Sequence, residues 1–250
     1  MSYLIAFSGK GGVGKTTLAA LFVKNLVEAG KKPVLAIDAD PNSCLGPNLG
    51  VEVEFSIGAA RETVREEADK HQMSKQELLR LKIAQGLVES KGFDMISMGR
   101  PEGAGCYCYA NNVLKGAIKE LSDQYPYVVL DNEAGLENLS RRIVQSVNTL
   151  VLVSDASNAG LRTLERLYEL SCEMDVKYEK LVLIVNRTRA GELPPLAEEI
   201  KQRTGASHVL AFPYDEEVAR LAEDSTPVWE ISADNPVNKA VGELISAIMN

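Results

Sequence analysis

The segment GKGGVGKTT, residues 9–17, decides the fold of this chain of 250 residues. It has the spacing G-x-x-x-x-G-K-T, in which glycine amides surround phosphate oxygens. Residues 3–7 are predicted to form a buried strand and residues 18–28 a helix, whose positive end faces the same anion. We therefore predict a nucleotide-binding loop, in preference to a glycine-rich turn before an ordinary helix.

Each side chain of this loop has a predicted chemical task. Lys15 reaches the outer phosphates, and Thr16 binds magnesium through its hydroxyl. Lys10 follows the first glycine, where an ammonium can neutralise charge on the transferred phosphoryl group. A solvent-exposed surface lysine is the simpler interpretation of Lys10. The predicted nucleotide-binding residues of the loop are Gly11, Gly12, Val13, Gly14, Lys15, Thr16 and Thr17.

Short apolar runs alternate with helical patterns along the rest of the chain. Near-continuous apolar runs are typical of parallel strands that are covered on both faces. The alternation predicts an α/β fold, a doubly wound, mainly parallel sheet with helices on both faces, as a single domain over residues 1–250. The predicted strands are 33–37, 93–98, 127–130, 149–153, 181–185 and 209–212, and the predicted helices are 114–121, 139–147, 161–174, 196–203 and 237–249. The charged residues 62–80 are predicted to form a solvated helical excursion.

Carboxylates follow two of the predicted strands. In doubly wound sheets, ligands bind at the carboxyl ends of the strands. Asp38 and Asp40 follow residues 33–37, and Asp131 follows residues 127–130. In extended backbone, Asp38 and Asp40 point the same way. One of them can then serve the magnesium shell and the other the attacking water, while an aspartate-rich turn is the alternative interpretation.

Cys106 and Cys108 form a Cys-x-Cys pair in a chain with four cysteines. Without a secretory signal a structural disulfide is disfavoured, so the pair indicates metal or redox chemistry. Two thiolates are too few for a closed tetrahedral site, but two copies around a twofold axis supply four. Buried small hydrophobic side chains are the other interpretation. Cys44 is expected to be a buried structural thiol and is left out of the predicted site.

Composition narrows the classes of partner. A formal net charge of -8 disfavours a non-specific nucleic-acid binder, which gains affinity from a basic surface. No stretch approaches 18 uninterrupted apolar residues, and no basic and then apolar leader precedes the first strand. We expect a cytoplasmic protein without a nucleic-acid or membrane partner.

The loop with its early lysine resembles the deviant Walker A motif of the MinD/ParA and nitrogenase iron-protein class. In that class the early lysine, here Lys10, reaches across a nucleotide-sandwich homodimer to the partner's phosphates, so the resemblance implies a homodimer. It also implies that Asp40, in switch I (residues 38–44), orients or activates the attacking water. Asp38 is then expected near the water ligands of magnesium, and Asp131, in switch II (residues 131–135), is expected to contact magnesium through water.

The resemblance extends to the site of the base. Asn186 follows the strand 181–185, and Pro213 follows the strand 209–212; in the class such positions hold the base. Without the resemblance, a capping asparagine and a strand-ending proline are equally good interpretations. The chain has no Asn-Lys-x-Asp guanine signature, which favours ATP over GTP.

Three segments carry a closer resemblance, to the CooC-type nickel ATPases, a group that includes the AcsF branch associated with acetyl-CoA synthase. They are DADPNSCLG (38–46), GCYC (105–108) and DNEAGLENLSR (131–141). This family delivers nickel, driven by ATP, during maturation of carbon monoxide dehydrogenase or acetyl-CoA synthase. The resemblance implies ATP/ADP, Mg2+ and Ni2+ as ligands, with Zn2+ competing in vitro. It also implies a client nickel enzyme as partner and Cys106 and Cys108 as thiolates of a shared metal site.

Two other classes stay open. One is a redox protein like nitrogenase iron protein, whose cluster ligands lie in two well-separated segments, unlike Cys106 and Cys108. The other is a MinD-like positioning switch, for which a basic amphipathic tail is expected. The C-terminal stripe has almost only Lys239 on its polar side, so we predict that it packs in the core. The stripe consists of Val237, Val241, Leu244, Ile245 and Ile248.

Overall fold

The strand before the loop lies at the centre of the sheet. β1 (Tyr3–Gly9) is buried from Leu4 onward, as its apolar sequence predicts. The computed structural model describes residues 2–57, 77, 81, 83–99, 115–116, 118, 120–135 and 146–249. In chain order it places α1 at Lys15–Glu28, β2 at Val34–Asp38, α2 at Leu45–Leu49, β3 at Val88–Glu89, β4 at Phe93–Ser97, β5 at Tyr127–Asp131, β6 at Ser146–Asp155, α3 at Asn158–Glu173, β7 at Lys177–Thr188, α4 at Pro195–Thr204, β8 at His208–Pro213, α5 at Glu216–Glu223, a 3-10 turn at Val228–Glu230 and α6 at Pro236–Met249.

The described strands form one sheet in the order β3-β4-β2-β5-β1-β6-β7-β8. Every pairing is parallel except that of β3 with β4, at one edge. Side chains alternate between two apolar layers: Ile5 and Phe7 face one layer with α1 and α6, while Leu4 and Ala6 face the other with α3 and α4. Helices therefore cover both faces, and the predicted doubly wound, mainly parallel α/β fold is confirmed.

Some element boundaries differ from the prediction. The predicted helix 139–147 is wrong at its last two residues, because Ser146 and Val147 already belong to β6, where they pair with β7; residues 139–145 lie outside the described residues. β3, α2 and α5 were not predicted, because two to eight residues carry too little periodic pattern. The excursion at 62–80 lies outside the described residues apart from the helical residue 77.

The C-terminal stripe packs inside the protein. Its five apolar side chains are all at most 2% exposed, and α6 lies against α1. The Asn25 amide of α1 donates to Asn238 Oδ1 at 2.8 Å, which fixes the two helices to each other. The prediction that this stripe belongs to the core is confirmed. No helix in the described part of the chain combines the length and apolarity that a membrane span requires.

Candidate nucleotide site

The backbone of the phosphate loop has a shape that glycine permits. Gly12 and Gly14 have φ angles of 78° and 93°, in the left-handed region. Gly14 precedes α1, and its carbonyl accepts the N–H of Leu18 at 3.0 Å. A Cβ on Gly9 would lie 2.4 Å from the carbonyl oxygen of Val153. The strand-loop-helix arrangement that the motif requires is thus present.

Lys15 lies inside the loop. Its side chain is buried, and Nζ donates to the carbonyl oxygen of Lys10 at 3.2 Å. Burial lowers the pKa of Lys15, while the charges of Asp131 and Asp40 oppose that shift. The ammonium therefore lies between the loop backbone and the carboxylates of Asp131 and Asp40. Lys10 is itself exposed, so its side chain is accessible to a second molecule.

Two buried carboxylates lie side by side beneath the loop. Because β2 and β5 pair in register, Asp38 is directly opposite Asp131. Burial raises the pKa of Asp38 to about 7 and that of Asp131 to about 6, and the charge of Asp131 adds to the shift of Asp38. Thr16 hydrogen bonds to Asp131, but Asp131 Oδ1 is buried without a hydrogen-bond partner among the described residues.

This group of oxygens fits magnesium. Mg2+ binds oxygen ligands and keeps several waters, usually with one or two carboxylates and the phosphates of a substrate. Thr16 supplies a hydroxyl, and Asp131 Oδ1 is a buried acceptor that a cation or its water can satisfy. A divalent cation would also compensate the two neighbouring carboxylates, which otherwise repel each other.

Asp38 also holds switch I in place. Its Oδ1 accepts the N–H of Asp40 at 3.0 Å, and its Oδ2 accepts the N–H of Leu45 at 2.8 Å, at the start of α2. Asp40 in turn accepts the N–H of Asn42 at 2.8 Å, so it does form the aspartate turn that the sequence left open. Asp38 thus points into the protein, whereas Asp40 is half-buried at the rim, where its charge reaches Lys15.

Switch II returns from β5 to the loop. The Asn132 side chain donates to the carbonyl oxygen of Phe7 at 2.8 Å. The N–H of Gly135, whose φ is 95°, donates to the carbonyl oxygen of Gly9 at 3.0 Å. The segment that follows Asp131 therefore contacts the first glycine of the phosphate loop.

The predicted base-contacting residues lie together in one cavity of about 280 Å3 beside the loop. The Asn186 amide donates to the carbonyl oxygen of Val13 at 2.8 Å, so its Oδ1 is the atom left to accept from a ligand. Tyr214, 59% exposed, lies at the cavity beside Pro213. The lining is Gly14, Thr17, Leu18, Asn186, Arg187, Pro213, Tyr214, Asp215, Val218, Ala219, Ala222, Glu223 and Val237.

Two of the four cysteines, Cys44 and Cys172, lie in the described part of the chain. Cys106 and Cys108 lie outside the described residues, so the shared metal site stays a prediction. Within the described ranges, no group of three or more His, Cys, Asp or Glu residues is suited to holding a metal ion.

The expectation that Cys44 is buried is wrong. Cys44 is exposed at the start of α2, where Asp38 binds the backbone N–H of Leu45 and not the thiol.

A family model for the CobQ/CobB/MinD/ParA nucleotide binding domain matches residues 4–228. The chain belongs to this family. An uncharacterized ATP-binding protein of Methanocaldococcus jannaschii is 39% identical over 251 residues, which cover 99% of this chain and 98% of that protein. The chain is accordingly an ATP-binding P-loop ATPase of the MinD/ParA type.

Relatives within the family have names that describe different functions. The carbon monoxide dehydrogenase accessory protein CooC of Rhodospirillum rubrum is 29% identical over 186 residues, 69% of this chain and 70% of CooC. The septum site-determining protein MinD of Bacillus subtilis is 26% identical over 245 residues, 95% of this chain and 84% of MinD. MinD of Pyrococcus horikoshii, solved with Mg-ADP, superposes with a TM-score of 0.72 at 21% identity, covering 99% of this chain and 96% of that one. At 21% identity, the structural similarity to MinD of Pyrococcus horikoshii shows the fold alone.

Sequence reasoning missed two contacts at the site. Arg187 Nη1 donates to the carbonyl oxygen of Gly12 at 3.1 Å. The hydroxyls of Ser43 and Ser97 lie 2.8 Å apart and join switch I to the end of β4. No sequence pattern announces either contact, because both depend on which strand ends become neighbours in the sheet.

From the raised pKa of Asp131 we predict that its replacement increases the free energy of unfolding in a pH-dependent way. An Asp131 pKa of about 6, above the ordinary 3.8, means that ionisation destabilises the fold as pH rises between these values. Asp131→Asn removes a penalty of about 3 kcal/mol at pH 8 but buries an amide, so we expect a net gain of about 1–2 kcal/mol. The gain should disappear at pH 4, where the wild-type carboxyl is largely protonated in the folded state.

Urea unfolding without Mg2+ or nucleotide, at both pH values, measures this difference. The exposed Asp123→Asn is the matched control. An Asp131→Asn effect of equal size at pH 4 and pH 8 would show that the carboxylate charge is not the cause.

Proposed function

We propose that this ATPase uses ATP hydrolysis in a homodimer to deliver nickel to a client enzyme, carbon monoxide dehydrogenase or acetyl-CoA synthase. The observation that carries the ATP-driven part is the buried pair Asp38 and Asp131, which contacts both the phosphate loop and switch I. Nickel as cargo is supported by the Cys106-x-Cys108 motif and by the similarity to CooC.

The residues around the loop suit phosphoryl transfer. The amides of the loop, the N-terminus of α1 and the Lys15 ammonium stabilise negative charge on the phosphates. Thr16 and Asp131, with Asp38 behind them, would hold magnesium, which supplies positive charge at the phosphate oxygens. Asp40, half-buried beside Lys15, is in the proposed position for orienting the attacking water.

The exposure of Lys10 supports the proposed homodimer. Its side chain is exposed at the rim of the loop, while Lys15 already occupies the interior. A lysine in this position can neutralise phosphoryl charge in the partner's site, as an arginine finger does in trans. Closing the dimer around nucleotide then brings two Cys-x-Cys pairs to one interface, where four thiolates suit nickel or zinc.

Switch I is connected to the chain that leads to the cysteines. The Ser43 hydroxyl contacts that of Ser97, and the N–H of Met98 donates to the carbonyl oxygen of Asp38 at 2.8 Å. Cys106 follows Met98 by eight residues in the sequence. A change in switch I when the γ-phosphate leaves can therefore act on the start of the cysteine segment and alter metal affinity.

A MinD-like positioning role is the second candidate, supported by the similarity to MinD over 95% of this chain. The stripe on α6 does not favour it, because its five apolar side chains are packed in the core. A membrane-binding role for this chain would have to use another surface. Vesicle co-sedimentation with Mg-ATP separates the candidates, since the nickel-delivery proposal predicts no sedimentation.

Subunit mixing tests whether Lys10 acts across the dimer. Lys10→Ala and Asp40→Asn should each abolish most ATPase activity. In a mixed dimer, the Lys10→Ala protomer keeps its own Asp40 and receives Lys10 from its partner, so one site is complete. An equal mixture should therefore recover about a quarter of wild-type activity. No recovery in dimers that demonstrably exchange subunits would place Lys10 in its own protomer's site.

Nickel titration tests the cargo. In the presence of Mg and a non-hydrolysable ATP analogue, we expect about one nickel per two protomers, because four thiolates complete one site. Binding should be lost in the variant that combines Cys106→Ala with Cys108→Ala, and kept in Cys172→Ala, which removes an exposed cysteine of α3.

Three results would contradict the shared nickel site. One is about one nickel per protomer, and another is binding that survives loss of both Cys106 and Cys108. The third is iron and sulfide in the protein as purified, which would instead support an ATP-gated electron donor.

A further inference from the structure

The C-terminal end of β7 contacts the phosphate loop at two consecutive carbonyl groups. Asn186 Nδ2 donates to the carbonyl oxygen of Val13 at 2.8 Å, and Arg187 Nη1 donates to that of Gly12 at 3.1 Å. Two neighbouring residues of β7 thus hold two neighbouring peptide groups of the phosphate loop.

Peptide geometry gives these bonds a consequence for phosphate binding. In a planar trans peptide the C=O and the following N–H point in opposite directions. Holding the Gly12 carbonyl outward therefore aims the N–H of Val13 inward, and holding the Val13 carbonyl outward aims the N–H of Gly14 inward. With Gly12 and Gly14 left-handed on either side of Val13, the amides form a concave nest of the kind that binds anions.

The backbone of Arg187 is strained at an irregularity in the pairing of β7 with β8 between Val185 and Thr188. Its φ is 56°, in the left-handed region that non-glycine residues seldom adopt and that costs about 1 kcal/mol or more. Gly14 is also constrained, since a Cβ there would lie 2.5 Å from Asn186 Nδ2. The Arg187 side chain is exposed, so a single hydrogen bond in this position adds little to folding stability.

We propose that Arg187 is a positioning residue of the ATP site, which aims the Val13 amide at the nucleotide phosphates by holding the Gly12 carbonyl. The proposal rests on the ATP-binding part of the function proposed above and not on nickel. It requires a hydrogen-bond donor at residue 187 but no positive charge. It also assigns the effect of residue 187 to the phosphates and not to the base, although Arg187 also lines the base cavity.

Calorimetry of the full chain with ADP, inorganic tripolyphosphate and adenosine tests this assignment. Arg187→Ala should weaken ADP and tripolyphosphate binding about fivefold, as expected for loss of one hydrogen bond, and leave adenosine binding unchanged. The difference between the wild type and Arg187→Ala should persist at high salt, because the hydrogen bond does not require a net charge on residue 187. The exposed neighbour Arg189→Ala is the control and should match the wild type.

Several outcomes would overturn the proposal. They are unchanged ADP affinity in Arg187→Ala, an equal loss of adenosine affinity, or a loss of ADP affinity that disappears at high salt, which would indicate direct contact of the charge with phosphate. Thermal unfolding of each variant checks that the fold is intact. Failure of the wild-type protein to bind ADP or tripolyphosphate would instead refute the proposed function itself, so the two failures are distinguishable.

Discussion

The parallel pairing of β2 with β5 places Asp38 and Asp131 next to each other, both excluded from water. Burial, and for Asp38 also the charge of Asp131, raises their pKa values to about 7 and about 6, so keeping both ionised costs free energy. Two such carboxylates are retained in a protein when a ligand compensates them, and the Lys15 ammonium and the Thr16 hydroxyl are already directed toward Asp131. The rest of the site is arranged around this pair. Asp131 hydrogen bonds to Thr16 of the phosphate loop, and Asp38 accepts the N–H of Asp40 in switch I.

From Asp38 the contacts continue into the body of the protein. Its Oδ2 holds the N-terminus of α2, and the carbonyl of Leu49 at the other end of α2 accepts the indole N–H of Trp229 at 2.8 Å. Trp229 in turn stacks on Phe93 of β4. α2 is therefore held at both ends, by Asp38 near the phosphate loop and by Trp229 in the core. A change at the nucleotide that moves Asp38 would therefore also act on α2.

Much of this could be predicted from the sequence because it depends on local pattern. Buried parallel strands require near-continuous apolar runs, and the phosphate loop requires glycines at fixed spacing, so the sheet and the loop follow from residues 3–17 and the later runs. Likewise, Asp38 and Asp131 end strands, which places them at the ligand-binding edge.

The contacts that were missed depend on the tertiary arrangement. The start of β6 was predicted as helix because Ser146 and Val147 become strand only through pairing with β7. Cys44 is exposed, while its neighbour Leu45 is bound to Asp38 through the backbone. Arg187 contacts Gly12 from an irregular part of β7, where its φ is 56°. The roles of Cys106 and Cys108 stay predictions from the motif.

Hydrogen exchange is the most direct test of the claim that Mg-ATP acts on switch I through the carboxylate pair. The measurement compares peptides covering residues 38–49 in the protein alone, with an ATP analogue plus Mg2+, and with the analogue plus EDTA. We expect slower exchange in residues 38–49 only when the analogue and Mg2+ are both present, and loss of this protection in Asp131→Asn. Equal protection without Mg2+, or no change with Mg2+ and analogue at saturation, would contradict it.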